Sequence, residues 1–438
     1  MRRRPRALLS WPLAILVSLL APLPAAHGAT DAFTGSWAAS PTAAPAADSQ
    51  VFEDETLRQK VHLSVAGNSL RVRLTNEFGT SPLVIGQAHA ALPSPDGPET
   101  AVDPGTDRLL RFDGSPSTTL APGTQRWSDP VELPTTAGGD LVISLYLPEH
   151  TPADTVHSSA YQQNFVAGGD VTAKPDLTPT AATTSWHFLS GVAVDGDGDG
   201  AADPALVTLG DSITDGERTQ VGANHRWPDL LAERLRQDGQ LSDTAVVNAG
   251  IGGNRLLRDP NPVPGSPAES FAAYFGESGL KRFDRDVLRQ PGARAVTVLL
   301  GVNDLGQPGV AAPPAEEVTA AELIAGYQQL IERAHQHGLK IFGATILPFQ
   351  GDTLGYYTPQ REKTRQVVND WIRDSGAFDA SIDFDAALRD PAHPTRLSST
   401  YNSGDGLHPN DAGMAAMAKA FPLELLRRTT SQSRRYPI

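Results

Sequence analysis

The 438-residue chain contains no cysteine, which excludes a disulfide framework, a thiolate metal site and a cysteine nucleophile. Positive charge is also short. Lys and Arg number 36 against 50 Asp and Glu, a net charge of −14, and residues 1–28 carry four Arg and no acid, leaving −18 for the remainder. A surface that acidic repels phosphate backbones and anionic lipid, which argues against nucleic-acid binding. Long apolar runs are confined to the N-terminus. With 39% apolar, 20% charged and 6% aromatic residues, the composition is that of a globular protein rather than a disordered or collagen-like one. The length predicts two or three compact units.

Met1-Arg2-Arg3-Arg4-Pro5-Arg6, the apolar run Ala7 to Leu23 and the small residues Ala26-His27-Gly28-Ala29 form the pattern of an export signal. Pro12 and Pro22 interrupt the run, and it is shorter than the roughly 20 residues of a spanning helix. The expected product is therefore a secreted protein cleaved after Gly28, with no stable membrane insertion. Arg3-Arg4 also fits a twin-arginine signal.

From Thr30 to Leu189 the sequence alternates with a period of two, as in Val61-His62-Leu63-Ser64-Val65 and Leu70-Arg71-Val72-Arg73-Leu74 around Gly67-Asn68. This pattern predicts a β-hairpin with one buried face. Further strands are expected at Leu83–Ile85, Leu109–Phe112 and Leu141–Tyr146, giving a β-sandwich of the jelly-roll kind. After Ala205 short apolar runs alternate with helical periods, which predicts βα units on a parallel sheet. Strands are expected at Ala205–Leu209, Ala245–Asn248, Ala295–Leu300, Lys340–Thr345 and Ser381–Phe384. Helices are expected at Arg226–Gln237, Ala320–His337, Gln360–Asp374 and Asp411–Leu426.

The expected division is a signal peptide over 1–28, a β-sandwich accessory domain over 29–190, an acidic Gly-rich linker over 191–204, an α/β domain over 205–428 and a tail over 429–438. Within the linker, Asp195, Asp197 and Asp199, followed by Gly200, resemble half of an EF-hand calcium loop, but Leu206 replaces the bidentate acid. A plain acidic linker is the simpler reading, with structural calcium at those three residues as the alternative.

Ligands of an open parallel sheet sit beyond the C-terminal ends of its strands, and four polar clusters fall there. They are Gly210-Asp211-Ser212-Ile213-Thr214-Asp215-Gly216, Asn248-Ala249-Gly250-Ile251-Gly252-Gly253-Asn254, Gly301-Val302-Asn303-Asp304 and Asp405-Gly406-Leu407-His408. A serine nucleophile needs a base, and the base needs an orienting group; Ser212, His408 and Asp405 supply one of each. Ser212 alone could merely cap the next helix. Candidate donors to a developing oxyanion are the backbone N–H of Ser212, the backbone N–H of Gly253 and the side-chain amide of Asn303. Asp211 and Asp304 read as loop braces, Arg226 and Trp227 as core at a helix start. His335 and His337, two apart on a helix, do not share a face for a metal. His225 and His393 lie in loops that could approach a substrate.

No Gly-x-Ser-x-Gly occurs anywhere in the chain, so the nucleophile elbow of ordinary α/β-hydrolases is missing. Together the four blocks resemble the SGNH, or GDSL, hydrolase superfamily, with Ile213 in place of the leucine of the family's name. The resemblance covers about Ala205 to Leu426. It implies a three-layer α/β/α, flavodoxin-like domain with a parallel sheet, preceded here by the β-sandwich. It also implies carboxylic ester hydrolysis through an acyl-enzyme on Ser212, with His408 as base, Asp405 holding its tautomer, an oxyanion site of Ser212, Gly253 and Asn303, and no metal or other cofactor. The front half resembles, more weakly, the β-rich module of exported two-domain members, some of which deacetylate plant polysaccharides. A small-molecule or polysaccharide ester is thus the expected substrate and a monomer the expected state. Two rivals remain at this level. A metallophosphoesterase would want more clustered His and Asp ligands, and a non-catalytic polysaccharide-binding protein would leave the serine constellation unexplained.

Overall fold

The computed structural model describes residues 32–48, 50–196 and 201–427. The signal peptide expected at 1–28, Asp197 and Asp199 of the calcium alternative, and the tail 429–438 lie outside the described residues. Among those described, no helix is long and apolar enough to cross a membrane.

The front module is built from antiparallel strands in two main sheets, of six and five strands, that share one apolar core. The hairpin expected around Gly67-Asn68 does not form. Strand Glu55–His62 belongs to the six-stranded sheet, beside Asp140–Leu147 and Asn164–Gly168, whereas Ser69–Asn76 belongs to the other, beside Leu189–Asp195 and Thr124–Trp127. Both runs alternate because each turns one face inward. Leu57, Val61 and Leu63 and then Leu70, Val72 and Leu74 are all buried in the shared core, so the runs face each other across the sandwich rather than pairing edge to edge. Residues 63–68 are the corner between the sheets. Strand Leu189–Asp195 also extends into the segment expected as linker, because Val192, Ala193 and Val194 are buried between Phe33–Ala38 and Ser69–Asn76. At its end Asp195 Oδ1 accepts the backbone N–H groups of Asn68 (2.8 Å) and Ser69 (2.6 Å), so its carboxylate serves the sandwich corner. The run expected at Leu109–Phe112 forms a strand only over Arg108–Leu109.

The second unit carries five parallel strands, β1 (Ala205–Gly210), β2 (Ala245–Gly250), β3 (Ala293–Leu299), β4 (Lys340–Ala344) and β5 (Ala380–Ile382), in the order 2-1-3-4-5. Helices accompany them: α1 (Ser212–Asp215), α2 (Trp227–Arg236), α3 (Gly279–Phe283), α4 (Val302–Gly306), α5 (Ala320–Gln336), α6 (Pro359–Asp374), α7 (Phe384–Leu388) and α8 (Asp411–Ala420). The central strands read as continuous apolar runs because both faces are covered. Right-handed crossovers put α2 on one face and α3, α5 and α6 on the other, since the chain steps in opposite directions from β1 and from β2. α8 then packs on α2. It stops at Ala420 instead of reaching Leu426: Pro422 offers no N–H and pushes Phe421 into an extended conformation (φ −67°, ψ 121°).

The two units share packing as well as chain. Gly35 N donates to Pro291 O (3.0 Å), Val246 N to Ser64 Oγ (3.2 Å) and Thr34 Oγ1 to Asp203 O (2.9 Å). Ala205 and Ala245, the first residues of β1 and β2, pack into the core of the front module.

The 2-1-3 order makes the end of β1 the switch point where chain direction reverses, which opens a crevice between the loops that follow β1, β2 and β3. Helix α1 packs hard against β2 there. A methyl group added at Gly250 would lie 2.3 Å from Asp215 N, a distance that backbone on both sides cannot relieve cheaply. We therefore expect Gly250→Ala to cost about 1–3 kcal/mol of stability, and Gly239→Ala, with open space at its Cβ, to cost far less. Urea midpoints of the two variants check this.

Candidate active site

Ser212 is the first residue of α1, where the chain turns from β1. The helix is capped by its neighbour instead: Asp211 Oδ1 accepts the N–H of Ile213 (3.0 Å). The Ser212 hydroxyl is thereby left for another partner, His408 Nε2, at 2.9 Å. Behind the imidazole, Asp405 Oδ2 lies 2.7 Å from His408 Nδ1, and Asp405 Oδ1 accepts the backbone N–H groups of Leu407 (2.9 Å) and His408 (2.8 Å). Since a carboxylate only accepts, Nδ1 carries the hydrogen, Nε2 presents its lone pair, and the serine hydroxyl donates to it. Burial opposes ionisation of Asp405, yet the bonds from the His408 ring and from two backbone N–H groups outweigh it and hold the carboxyl well below the usual range. The His408 loop is itself fixed, with Asn402 Oδ1 accepting from Gly404 N (2.9 Å) and Gly406 N (3.0 Å).

The donor residues come from the next two strand ends. Gly253 adopts φ +74°, open to glycine alone at little cost, and an added Cβ would run into the ring of Phe275. Helix α4 ties this loop down. Asn303 Nδ2 donates to Asn254 O (3.1 Å), Gln307 Nε2, just past α4, donates to Gly253 O (2.6 Å), and Asp304 accepts the N–H groups of Leu256 (2.7 Å) and Leu257 (2.9 Å). Tyr356 donates its hydroxyl to Asn303 Oδ1 (3.3 Å), so the amide is oriented and its second N–H is left over. Thus Ser212, Asp405 and His408 form one hydrogen-bonded chain, while Gly253 and Asn303 are fastened together through Asn254 and Gln307.

A hydroxyl bonded to an imidazole with a carboxylate behind it can surrender its proton as it attacks an electrophilic carbon. Loops following β1, β2 and β3 and the loop before α8 therefore bring a serine hydroxyl bonded to an imidazole, and the residues Gly253 and Asn303, to one end of the sheet. Residues 208–416 match the model of the GDSL-like lipase/acylhydrolase family. Through this segment the chain belongs to that family, within the SGNH hydrolases. Its catalytic domain is that of a carboxylic ester hydrolase, a chemistry for which GDSL hydrolases generally need no cofactor. Among the described residues no group of three or more His, Asp or Glu is disposed to hold a metal ion. Among curated proteins none matches the chain. Similar solved structures include a catalytic mutant of Axe2, an acetylxylan esterase from Geobacillus stearothermophilus (22% identity, covering 52% of this chain and 94% of that one, TM-score 0.36). Others are a GDSL-like lipase from Bacteroides thetaiotaomicron (15%, 52% and 88%, TM-score 0.35) and an alpha/beta hydrolase enzyme from the metagenome of Lake Arreo, Spain (20%, 52% and 95%, TM-score 0.36).

Other polar residues of the GDSL domain are engaged elsewhere. His225 pairs with Asp411 (2.7 Å) and His335 with Asp379 (2.9 Å), His337 bonds Arg333 O (2.9 Å), and His393 is exposed. Trp227 is wholly buried, and Arg226 donates to Asp215 O (3.1 Å) and Ala160 O. The segment Leu257–Phe275 is irregular apart from two 3₁₀ turns, and its last residue walls Gly253. Sequence reasoning missed Arg282. Fully buried, it donates to Gly210 O (2.9 Å) at the end of β1, Ala249 O (2.8 Å) in β2, Asn254 Oδ1 (3.0 Å) and Ser40 Oγ (3.2 Å) of the front module, with Asp286 (3.1 Å) as counter-charge. An arginine among the charged residues Lys281, Asp284, Arg285 and Asp286 carries no sequence mark of burial.

Burial pushes Asp211 up to about 7 and Asp304 up to about 6, with their mutual repulsion adding to the shift of Asp211 and backbone N–H donors opposing it in both. An acid whose folded pKa lies above its unfolded value near 3.8 binds protons in the native state first, so its contribution to stability declines as pH rises from about 4 to about 7. Asp211→Asn keeps the acceptor for Ile213 N and is expected to flatten that decline. Chemical denaturation at several pH values across this window measures it; an unchanged slope contradicts the assignment.

Proposed function

We propose that the protein is a secreted serine esterase that removes short acyl groups, acetyl foremost, from carbohydrate or polysaccharide esters through an acyl-enzyme on Ser212. The observation that carries the catalytic reading is the unbroken chain Asp405 Oδ2, His408 Nδ1, His408 Nε2, Ser212 Oγ at 2.7 and 2.9 Å. Ser212 Oγ attacks the ester carbon while its proton passes to His408 Nε2. The oxygen that becomes negative is received by the N–H of Ser212, the N–H of Gly253 and the free amide hydrogen of Asn303. None of the first two N–H groups has a hydrogen-bond partner among the described residues, which leaves them for this role. Collapse of the intermediate expels the alcohol, which takes the proton from His408. Water, deprotonated by the same Nε2, then attacks the acyl carbon, and the carboxylic acid leaves as Ser212 regains its proton. Asp405 stays ionised throughout and stabilises the imidazolium that forms in each half-reaction.

Support for a short acyl group is steric. Phe275 stands over Gly253 and Tyr356 over Asn303, so rigid aromatic walls flank the donor side. Support for an extended alcohol such as a glycan comes from the front module, whose 157–161 segment reaches the loop of Gly252 and Gly253. Export follows from the basic and apolar N-terminus, and the acidic surface fits action as a monomer in the medium.

Ser212→Ala and His408→Ala should each lower kcat by on the order of 10³-fold or more, and Asp405→Ala by less. A fluorophosphonate should label the intact protein and leave Ser212→Ala unlabelled. Turnover of p-nitrophenyl acyl esters of rising chain length, beside acetate release from acetylated xylan and pectin, tests the substrate class. A preference for long acyl chains with no release from either polymer would overturn it.

A further inference from the structure

We infer that His157, a residue of the β-sandwich, is a positioning residue for the backbone donors of the oxyanion site and acts through Asp215. The inference rests on the catalytic reading of Ser212 and Gly253 given above and assigns the front module a part in the same site.

His157 ends the short strand Thr155–His157, and both it and Asp215 are about 5% exposed. Its Nδ1 lies 2.9 Å from Ser40 O and its Nε2 lies 2.9 Å from Asp215 Oδ1. A carbonyl and a carboxylate can only accept, so both ring nitrogens donate and the side chain is an imidazolium. The other oxygen of the same carboxylate, Asp215 Oδ2, accepts the N–H of Gly252 at 3.0 Å. The next peptide carries the N–H of Gly253. Asp215 is also the last residue of α1, and its own N–H bonds Asp211 O at 2.9 Å. One carboxylate therefore holds the donor loop to the helix that starts at Ser212, and its hydrogen-bonded cation comes from the other domain.

The surroundings account for a charged histidine in a buried place. Trp186 packs 5.5 Å from its ring, and His62, Arg226 and Asp229 line the cleft it faces. Tyr161 and Arg282 sense the charge of Asp215, and Glu217 bonds Tyr161. Burial and Arg226 oppose protonation of His157, but Asp215 and the two hydrogen bonds outweigh them, so its pKa is raised. The ion pair is intact below that raised value and is lost as pH climbs through it. Losing it leaves the Asp215 carboxylate buried without its cation. The carboxylate is then held less firmly, and with it the N–H of Gly252 and the Gly253 peptide that follows.

Displacing a backbone donor by a fraction of its bond length weakens binding of the transition state more than binding of the ester. His157→Gln and Asp215→Asn should therefore each reduce kcat for p-nitrophenyl acetate by on the order of 10-fold to 100-fold, with KM within about threefold of wild type. The rate of fluorophosphonate labelling of Ser212 should fall in step. Wild type should lose kcat on the alkaline side through a transition that is missing from His157→Gln. Soluble variants with wild-type kcat and an unchanged alkaline limb would overturn the inference, as would a loss confined to KM. Should His157→Gln fail to fold, Asp215→Asn, which preserves shape, decides alone, and unchanged kcat in it is the contrary result. Activity surviving in Ser212→Ala would instead refute the catalytic reading, so the two failures are told apart.

Discussion

The site depends on how closely the end of β1 can turn into a helix beside β2. Ser212 is offered to the crevice because α1 begins two residues after β1 ends, and that helix fits only because Gly250 opposite has no side chain at the point where Asp215 N approaches. The turn leaves backbone N–H groups unpaired at the helix start, as every helix does. Here Asp211 takes one of them, and Ser212 N has no partner among the described residues. A strand-to-helix turn with its cap on the residue before the nucleophile thus frees both the hydroxyl and an amide donor of the same residue.

Holding such a turn in register requires buried charge, and the domain carries it in compensated clusters. Arg282 gathers the ends of β1 and β2 and the following loop by donating to three acceptors in them, with Asp286 balancing its charge. Asp211 and Asp304 serve as acceptors for backbone N–H groups that the loops cannot pair internally. A buried acceptor meets that need best when it is ionised, while burial favours the neutral form. Their raised pKa values express that conflict. Asp405 resolves it the other way, because the ring N–H of His408 and two backbone N–H groups converge on it.

What could be read from sequence follows from range. Gly210 to Gly216 and Asp405 to His408 are short segments whose residue types and spacing stand out once a strand end is located, so the grouping of Ser212, Asp405 and His408, which the fold joins by hydrogen bonds, was legible. The five parallel strands were legible because both faces are buried and the runs are uniformly apolar. Alternation in the front module announced strands but not their partners. Residues 57–63 and 70–74 carry the same pattern whether they pair or face each other, and only the second sheet decides between the two. The helical period beyond Ala420 continued in type, yet the missing N–H of Pro422 overrode it. Arg282 and His157 stayed hidden because their partners lie far along the chain. A histidine closing a three-residue sandwich strand looks like any other until Asp215, 58 positions later, is folded against it.

That distance bears on why the module is there at all. A nucleophile and its base need only each other and an orienting group, and all three lie within one domain. Backbone donors are different, since a peptide N–H cannot be tuned by substitution and its aim is set by whatever holds the loop. In this protein the loop carrying Gly253 is held from three sides: by α4 through Asn303, Asp304 and Gln307, by Arg282 through Asn254, and by Asp215 with the imidazolium behind it. The first two holds belong to the catalytic domain, although Arg282 also reaches Ser40. The third runs from Asp215 of α1 to His157 of the sandwich. Placing a counter-ion on a separate module makes the geometry of the donors conditional on docking, so a chain whose sandwich has not folded would present the triad without its full set of oriented N–H groups.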